Sequence, residues 1–370
     1  MSTVCSWNQC AGCMACVDVC PCAAIDVQVN ITACNAVIQT EKCVHCNRCR
    51  EVCPNVTPLQ MKAPIEWHQG WALDQQIRSM GASGGYAAAI AQAFVREGGV
   101  VCSCTFAMGQ FRFAFASTES ELKKFQGSKY VKSNPAGVYK AIRTRLSRQE
   151  RILFIGLPCQ VAAVKKFFGC SKMENLYTVD LICHGTPSQK TLESYLQQNK
   201  VDLVNAVDVK FRHKHQYQLC VDGKSIGTPG VRDSYMVAFL NGLIHTENCY
   251  SCRYAQIERV SDLTLGDSWG SDMLAQNQSD GVSLVLCQTE KGKELLRTAG
   301  IHMENVDLQN AIEHNEQLRH PPIQSPSRVA LLKILEENKN FNRALNKFLP
   351  KEGIKRIIKT ILIKAGVFHL

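Results

Sequence analysis

The chain has 370 residues, enough for two or three domains with a sizeable core. It is 45% hydrophobic and 20% charged, which excludes a disordered chain, and no apolar run approaches the length of a membrane span. The net charge of +10 suits an acidic partner or a diffusely basic surface, and twenty cysteines are the one anomaly. The opening MSTVCSWNQC has no basic start, apolar run or cleavage site, so a cytoplasmic location is expected. In that compartment clustered cysteines bind metal or do redox chemistry more often than they form disulfides.

The first element is a duplicated motif. Cys10, Cys13, Cys16 and Cys20 precede Pro21, and Cys43, Cys46, Cys49 and Cys53 precede Pro54, every position recurring after 33 residues. In this C-x2-C-x2-C-x3-C-P run, three thiolates wrap one corner of an iron–sulfur cube and the fourth cysteine ligates the other cluster. Cys10, Cys13, Cys16 and Cys53 are therefore expected to hold one [4Fe-4S] cluster, and Cys43, Cys46, Cys49 and Cys20 a second. Zinc sites usually take two C-x2-C pairs, which this pattern does not match. Residues 1–61 thus form a bacterial-type two-cluster ferredoxin domain. Cys5, Cys22 and Cys34 match no motif position and are taken as buried or incidental thiols.

Residues 54–80 contain several breakers, including Pro54, Pro58 and Pro64, and are expected to form a linker. Ser83-Gly84-Gly85 then opens an Ala-rich helix. Such a loop can cradle phosphate on its N–H groups or simply let the helix pack closely. A β-branched run at Val100-Val101 and the alternating FRFAF predict strands. In Ser128-Lys129-Tyr130 the lysine offers a charge for phosphate and the tyrosine a face for a planar ring; an exposed lysine beside a half-buried tyrosine is the plainer alternative.

Ile152–Ile155 is expected as a buried strand, followed by a turn at Gly156–Pro158 and a helix from about Gln160, which puts Cys159 at the junction. Another strand leads into Cys183-His184-Gly185. Open α/β sheets place their sites at such strand ends. Cys249 and Cys252 form one C-x2-C pair before a short strand at Leu263–Leu265. Together with Cys159 and Cys183 they can supply four ligands for a third [4Fe-4S] cluster; otherwise Cys159 and Cys183 are buried thiols. Residues 306–345 are expected to be polar helices. In the tail, Ile354, Ile357, Ile358, Ile361 and Leu362 recur at helical spacing opposite Lys355, Arg356 and Lys359. That basic helix either packs on its own domain or a partner, or lies on an anionic membrane surface.

GASGGY, GSKYVKS, GLPCQVAAVKK, LICHGTPS, CYSC and SDLTLGDSWG occur in this order. Over roughly residues 75–310 they resemble the family of coenzyme F420 hydrogenase/dehydrogenase beta subunits. The resemblance implies an FAD-containing iron–sulfur oxidoreductase on an α/β core. It makes Ser83, Gly84, Gly85, Ser128, Lys129 and Tyr130 the flavin contacts and Cys159, Cys183, Cys249 and Cys252 the third-cluster ligands. His184 and Asp267 lie in family motifs as candidate catalytic residues. FRHKHQYQ keeps Phe211, Arg212 and Lys214 but lacks the Gly-Trp pair that family members often carry, so the resemblance does not name the organic substrate.

The expected fold is α+β / α/β. A two-cluster ferredoxin-like domain (1–61) precedes a flavin-binding core in two parts (75–148 and 149–310) and a helical basic tail (311–370). The expected function is electron relay between a low-potential carrier such as a ferredoxin or flavodoxin and FAD, then to an unidentified small molecule or the deazaflavin coenzyme F420. The alternative is an electron-transfer subunit serving a partner enzyme. No aromatic-interleaved basic run points to nucleic acid.

Overall fold

In the computed structural model, which describes residues 2–169 and 174–367, the cysteine-rich N-terminus forms two similar loops beside a small antiparallel sheet. Strands β1 (Ser2–Thr3), β2 (Ile25–Val29) and β3 (Cys34–Ile38) pair in the order β1-β3-β2. The short helices Ala15–Val19 and Arg48–Glu51 begin 33 residues apart, as the cysteines do. Each starts from a left-handed residue, Met14 at φ 60° and Asn47 at φ 59°. Two residues earlier Gly12 (φ 67°) and His45 (φ 55°) are also left-handed. Positive φ is uncommon outside glycine, so its recurrence at the same offset makes the duplication structural as well as sequential.

The remaining strands are β4 (Glu66–Ala72), β5 (Val100–Ala107), β6 (Gln110–Ala116), β7 (Ile152–Ile155), β8 (Leu176–Leu181), β9 (Val209–His213), β10 (Gln216–Val221), β11 (Lys224–Ser225), β12 (Leu263–Asp267), β13 (Ser283–Cys287) and β14 (Ile301–Glu304). Eight of them form one mixed sheet, β14-β4-β13-β12-β8-β7-β5-β6. Its centre, β5 to β12, is parallel and both flanks are antiparallel. Residues in β7 and β13 are buried throughout, as in strands covered on both faces. Ile152 and Phe154 face the helices Val138–Ser147 and Pro158–Phe168, while Leu153 and Ile155 face Tyr86–Arg96 and Glu290–Thr298.

Two sequence expectations differ from this arrangement. The segment taken as a linker carries β4, which pairs with β13 and β14. Its prolines all precede the strand, and its fully buried Gln69 hides the apolar alternation. The helix after β7 begins at Pro158, two residues early, because proline at the first helical position gives up no hydrogen bond. Cys159 therefore lies inside its first turn.

In the C-terminal region, Ser327–Glu336 and Phe341–Phe348 bury Leu331, Leu332, Leu335, Phe341 and Leu345 in one core with Tyr195, Phe211 and Tyr235. The final helix is Pro350–Lys364.

The N-terminal unit docks on the helical face that covers Ile152 and Phe154, where Cys13 and Ala15 join the core. Buried Asp18 accepts from the N–H groups of Gly137 (2.8 Å) and Tyr139 (3.1 Å). An acidic side chain of one unit thus caps a helix of the other, where the macrodipole favours it.

Candidate redox centres

Three cavities each gather one cysteine quartet. Cys10, Cys13, Cys16 and Cys53 line the first, a small space of about 20 Å³ that the Cys5 thiol shares. Cys20, Cys43, Cys46 and Cys49 line the second, about 130 Å³, together with Cys22. The backbone prepares both sets alike. The N–H of Gly12 donates to Cys10 Sγ and that of His45 to Cys43 Sγ, each at 3.4 Å. N–H donors favour the thiolate, the form that binds metal. Their surroundings differ: Cys10, Cys13, Cys16 and Cys53 are buried, whereas Cys46 is exposed.

Cys159, Cys183, Cys249 and Cys252 line the third cavity, about 610 Å³, between the N-terminal unit and the core. Cys159 lies in the first turn of Pro158–Phe168, Cys183 two residues beyond β8, Cys249 in the 3-10 turn Glu247–Ser251 and Cys252 directly after it. Here too N–H groups aim at sulfur, from Gly185 to Cys183 and from Thr186 to Cys249, both at 3.4 Å. Burial pushes the Cys159 thiol up to about 12, and Lys132 opposes the rise. Among the described residues no three His, Cys, Asp or Glu side chains converge on a single metal ion; the thiols border cavities instead.

Sequence reasoning missed two residues between the quartets. Cys5 lines both the first and the third cavity, and hydrogen bonding from its thiol lowers the pKa of Cys10 and Cys53. Buried Lys132 donates to Ala11 O and Asn248 Oδ1, both at 3.1 Å. Burial alone would depress its pKa, but the thiols of Cys249, Cys34, Cys159 and Cys10 hold it above the ordinary lysine value. Cys34, buried beside Gly12, belongs to the same group. Lys132 stands in GSKYVKS, but no spacing rule distinguishes it from Lys129.

Of the residues expected at a flavin, Ser83 and Tyr130 contact the β9–β10 hairpin. Arg212 makes two 2.7 Å bonds to the Asp267 carboxylate and one of 3.3 Å to Tyr130 Oη. The Tyr130 ring stacks on Phe239 at 4.5 Å. Lys214 Nζ donates to Ser83 O at 3.0 Å and also to Arg78 O. His184 is held below the usual imidazole range by burial, against the pull of Asp267. His245 is pushed down to about 3 by burial and by His184.

Several of these groups already have internal partners. Ser83 Oγ donates to Val282 O, and Lys129 Nζ donates to the carbonyls of Phe125, Gln126 and Gly127. A Cβ on Gly84 would lie 2.4 Å from Gly70 O and 2.7 Å from Ser283 N, so close packing against β4 and β13 requires glycine there. What the loop offers a phosphate is the N-terminus of Tyr86–Arg96, which no side chain caps, with Lys214 beside it. This donor set fits one anionic group.

Comparison with known proteins adds the following. Residues 67–139 match the N-terminal family model of the coenzyme F420 hydrogenase/dehydrogenase beta subunit, and residues 149–313 match the C-terminal one. Residues 36–57 match a 4Fe-4S binding domain. The chain is similar to a subunit of the F(420)H(2) dehydrogenase of Methanosarcina mazei, 22% identical over 280 residues that cover 71% of this chain and 78% of that one. It is also similar to a chain of the F420-reducing NiFe hydrogenase complex from Methanosarcina barkeri, at 18% identity and a TM-score of 0.48, over 79% of this chain and 93% of that one.

Proposed function

This chain belongs to the family of coenzyme F420 hydrogenase/dehydrogenase beta subunits and carries a 4Fe-4S binding domain, and from that premise we propose that it is an iron–sulfur flavoprotein oxidoreductase. Its three cysteine quartets would each hold one [4Fe-4S] cluster. FAD would be held by the uncapped N-terminus of Tyr86–Arg96 with Lys214, which suit an anionic group, and by Tyr130 and Arg212. Bound there, the clusters carry single electrons, and flavin interconverts single electrons with a hydride.

The observation that carries the reading is the adjacency of the cavities, which share lining residues. Cys5 lines the first and the third, and Arg50 lines the second and the third. The chain's own residues supply the rest. Cys46 offers a protein carrier the most accessible thiol of the twelve. Asp267 fixes the Arg212 guanidinium in one plane by a bidentate pair. His184 is half-buried, and desolvation holds it below the usual imidazole range; its ring nitrogens can donate or accept one proton.

A ferredoxin or flavodoxin is the proposed electron partner, and the organic substrate or deazaflavin coenzyme the proposed acceptor. The second reading, an electron-transfer subunit without its own substrate, draws support from the relative named as a dehydrogenase subunit. Iron, sulfide and flavin content after anaerobic purification tests the proposal. The expected result is about twelve irons per chain, four for each quartet, with one FAD. About eight irons and no flavin after reconstitution would overturn it in favour of an electron carrier.

A further inference from the structure

The last helix packs the opposite way from its sequence pattern. Pro350–Lys364 turns Gly353, Arg356 and Thr360 inward, and Leu362 and Ile363 are half-buried. Gly353 is buried against Asn346, Arg356 reaches Asn346 Oδ1 at 3.4 Å, and Thr360 bonds back to Arg356 O. Ile354, Ile357, Ile358 and Ile361 are left between 52% and 59% exposed. At helical spacing these four form one stripe. Isoleucine side chains in water are unfavourable in proportion to their exposed area, so an uncovered row on a regular helix calls for an occupant outside the chain's own fold.

Charge selects the occupant. Lys351, Lys355 and Lys359 run down one flank of the stripe at four-residue spacing, and Lys364 lies on the other; all four are exposed. Glu352 is the helix's only acid, and it pairs with Lys355 at 3.1 Å. An apolar stripe edged by lysines places isoleucines at acyl-chain depth and ammonium groups at phosphate level. The helix has 15 residues, which span roughly 22 Å, and no helix among the described residues is long and apolar enough to cross a membrane. We propose that Pro350–Lys364 lies flat in the surface of an anionic bilayer and holds this oxidoreductase against it.

The test is co-sedimentation of the holoprotein with vesicles of phosphatidylcholine alone or with added phosphatidylglycerol. Binding is expected to the anionic vesicles, about tenfold weaker to the neutral ones and weakened by salt. The Ile357→Glu/Ile361→Glu double variant is expected to lose vesicle binding while keeping its iron content and melting temperature. Wild-type protein that stays in the supernatant with anionic vesicles would overturn the proposal. So would a double variant that binds equally well. Sedimentation velocity without lipid supplies the remaining arm: a dimer abolished by the double variant would assign the stripe to a second copy instead.

Discussion

The two cysteine loops of the N-terminal unit share a backbone and differ in what surrounds them. Gly12 and Met14 in the first loop, like His45 and Asn47 in the second, are left-handed, and each loop aims an N–H at its leading sulfur. Yet Cys13 and Cys16 are buried, and Cys46 is exposed. The same contrast holds one turn later: Asp18 is buried and caps a core helix, whereas Glu51, its counterpart in the repeat, faces solvent. One local recipe therefore builds both thiol cradles. The environment then leaves the first enclosed by protein and the second open to solvent.

The largest effect that separates the loops is expected from removing one ligand in each. Cys16→Ser and Cys46→Ser should each lose about a third of the iron, but only Cys16→Ser should also lower the melting temperature markedly. Its quartet lies against the core, and metal binding there is folding free energy. Iron analysis with thermal melts reads both. Next, Asp18→Ala should cost about 1–2 kcal/mol through loss of the cap, while Glu51→Ala should stay within about 0.5 kcal/mol; urea titration compares them. The smallest effect concerns Lys132. A buried cation favours the more negative, reduced state of nearby clusters. Lys132→Gln should therefore make the interior potentials more negative, on the order of 60 mV for an interaction of about 1.4 kcal/mol, and leave the exposed site unchanged. A redox titration followed by electron paramagnetic resonance tests this.

The loops were legible in the sequence because a cube dictates the spacing of its ligands over a few residues, and the duplication repeats it. The α/β core was legible in part, through the apolar run of β7 and the short strand at Leu263–Leu265 that begins β12. The hairpin site was not. Arg212 joins Tyr130 and Asp267 across 82 and 55 residues, and Lys214 reaches Ser83 across 131. Each is a common residue whose partner only the fold supplies. Lys129 and Ser83 were legible as chemistry, yet they spend their polar atoms on neighbouring carbonyls. Lys132 and Cys5 carry no spacing signal, since their importance is their position between two quartets. The isoleucine stripe was plain as a pattern, but only the packing of Gly353 and Arg356 shows which face is left uncovered.

The most direct test of the central claim, that the exposed loop is the inlet and the buried loop the relay, is a freeze-quench measurement of interior cluster reduction in wild type and Cys46→Ser. Reduced ferredoxin and a small viologen serve as alternative donors. The account predicts that Cys46→Ser slows reduction by the protein donor sharply and leaves reduction by viologen close to wild type. Equal rates from ferredoxin in the two proteins would contradict it.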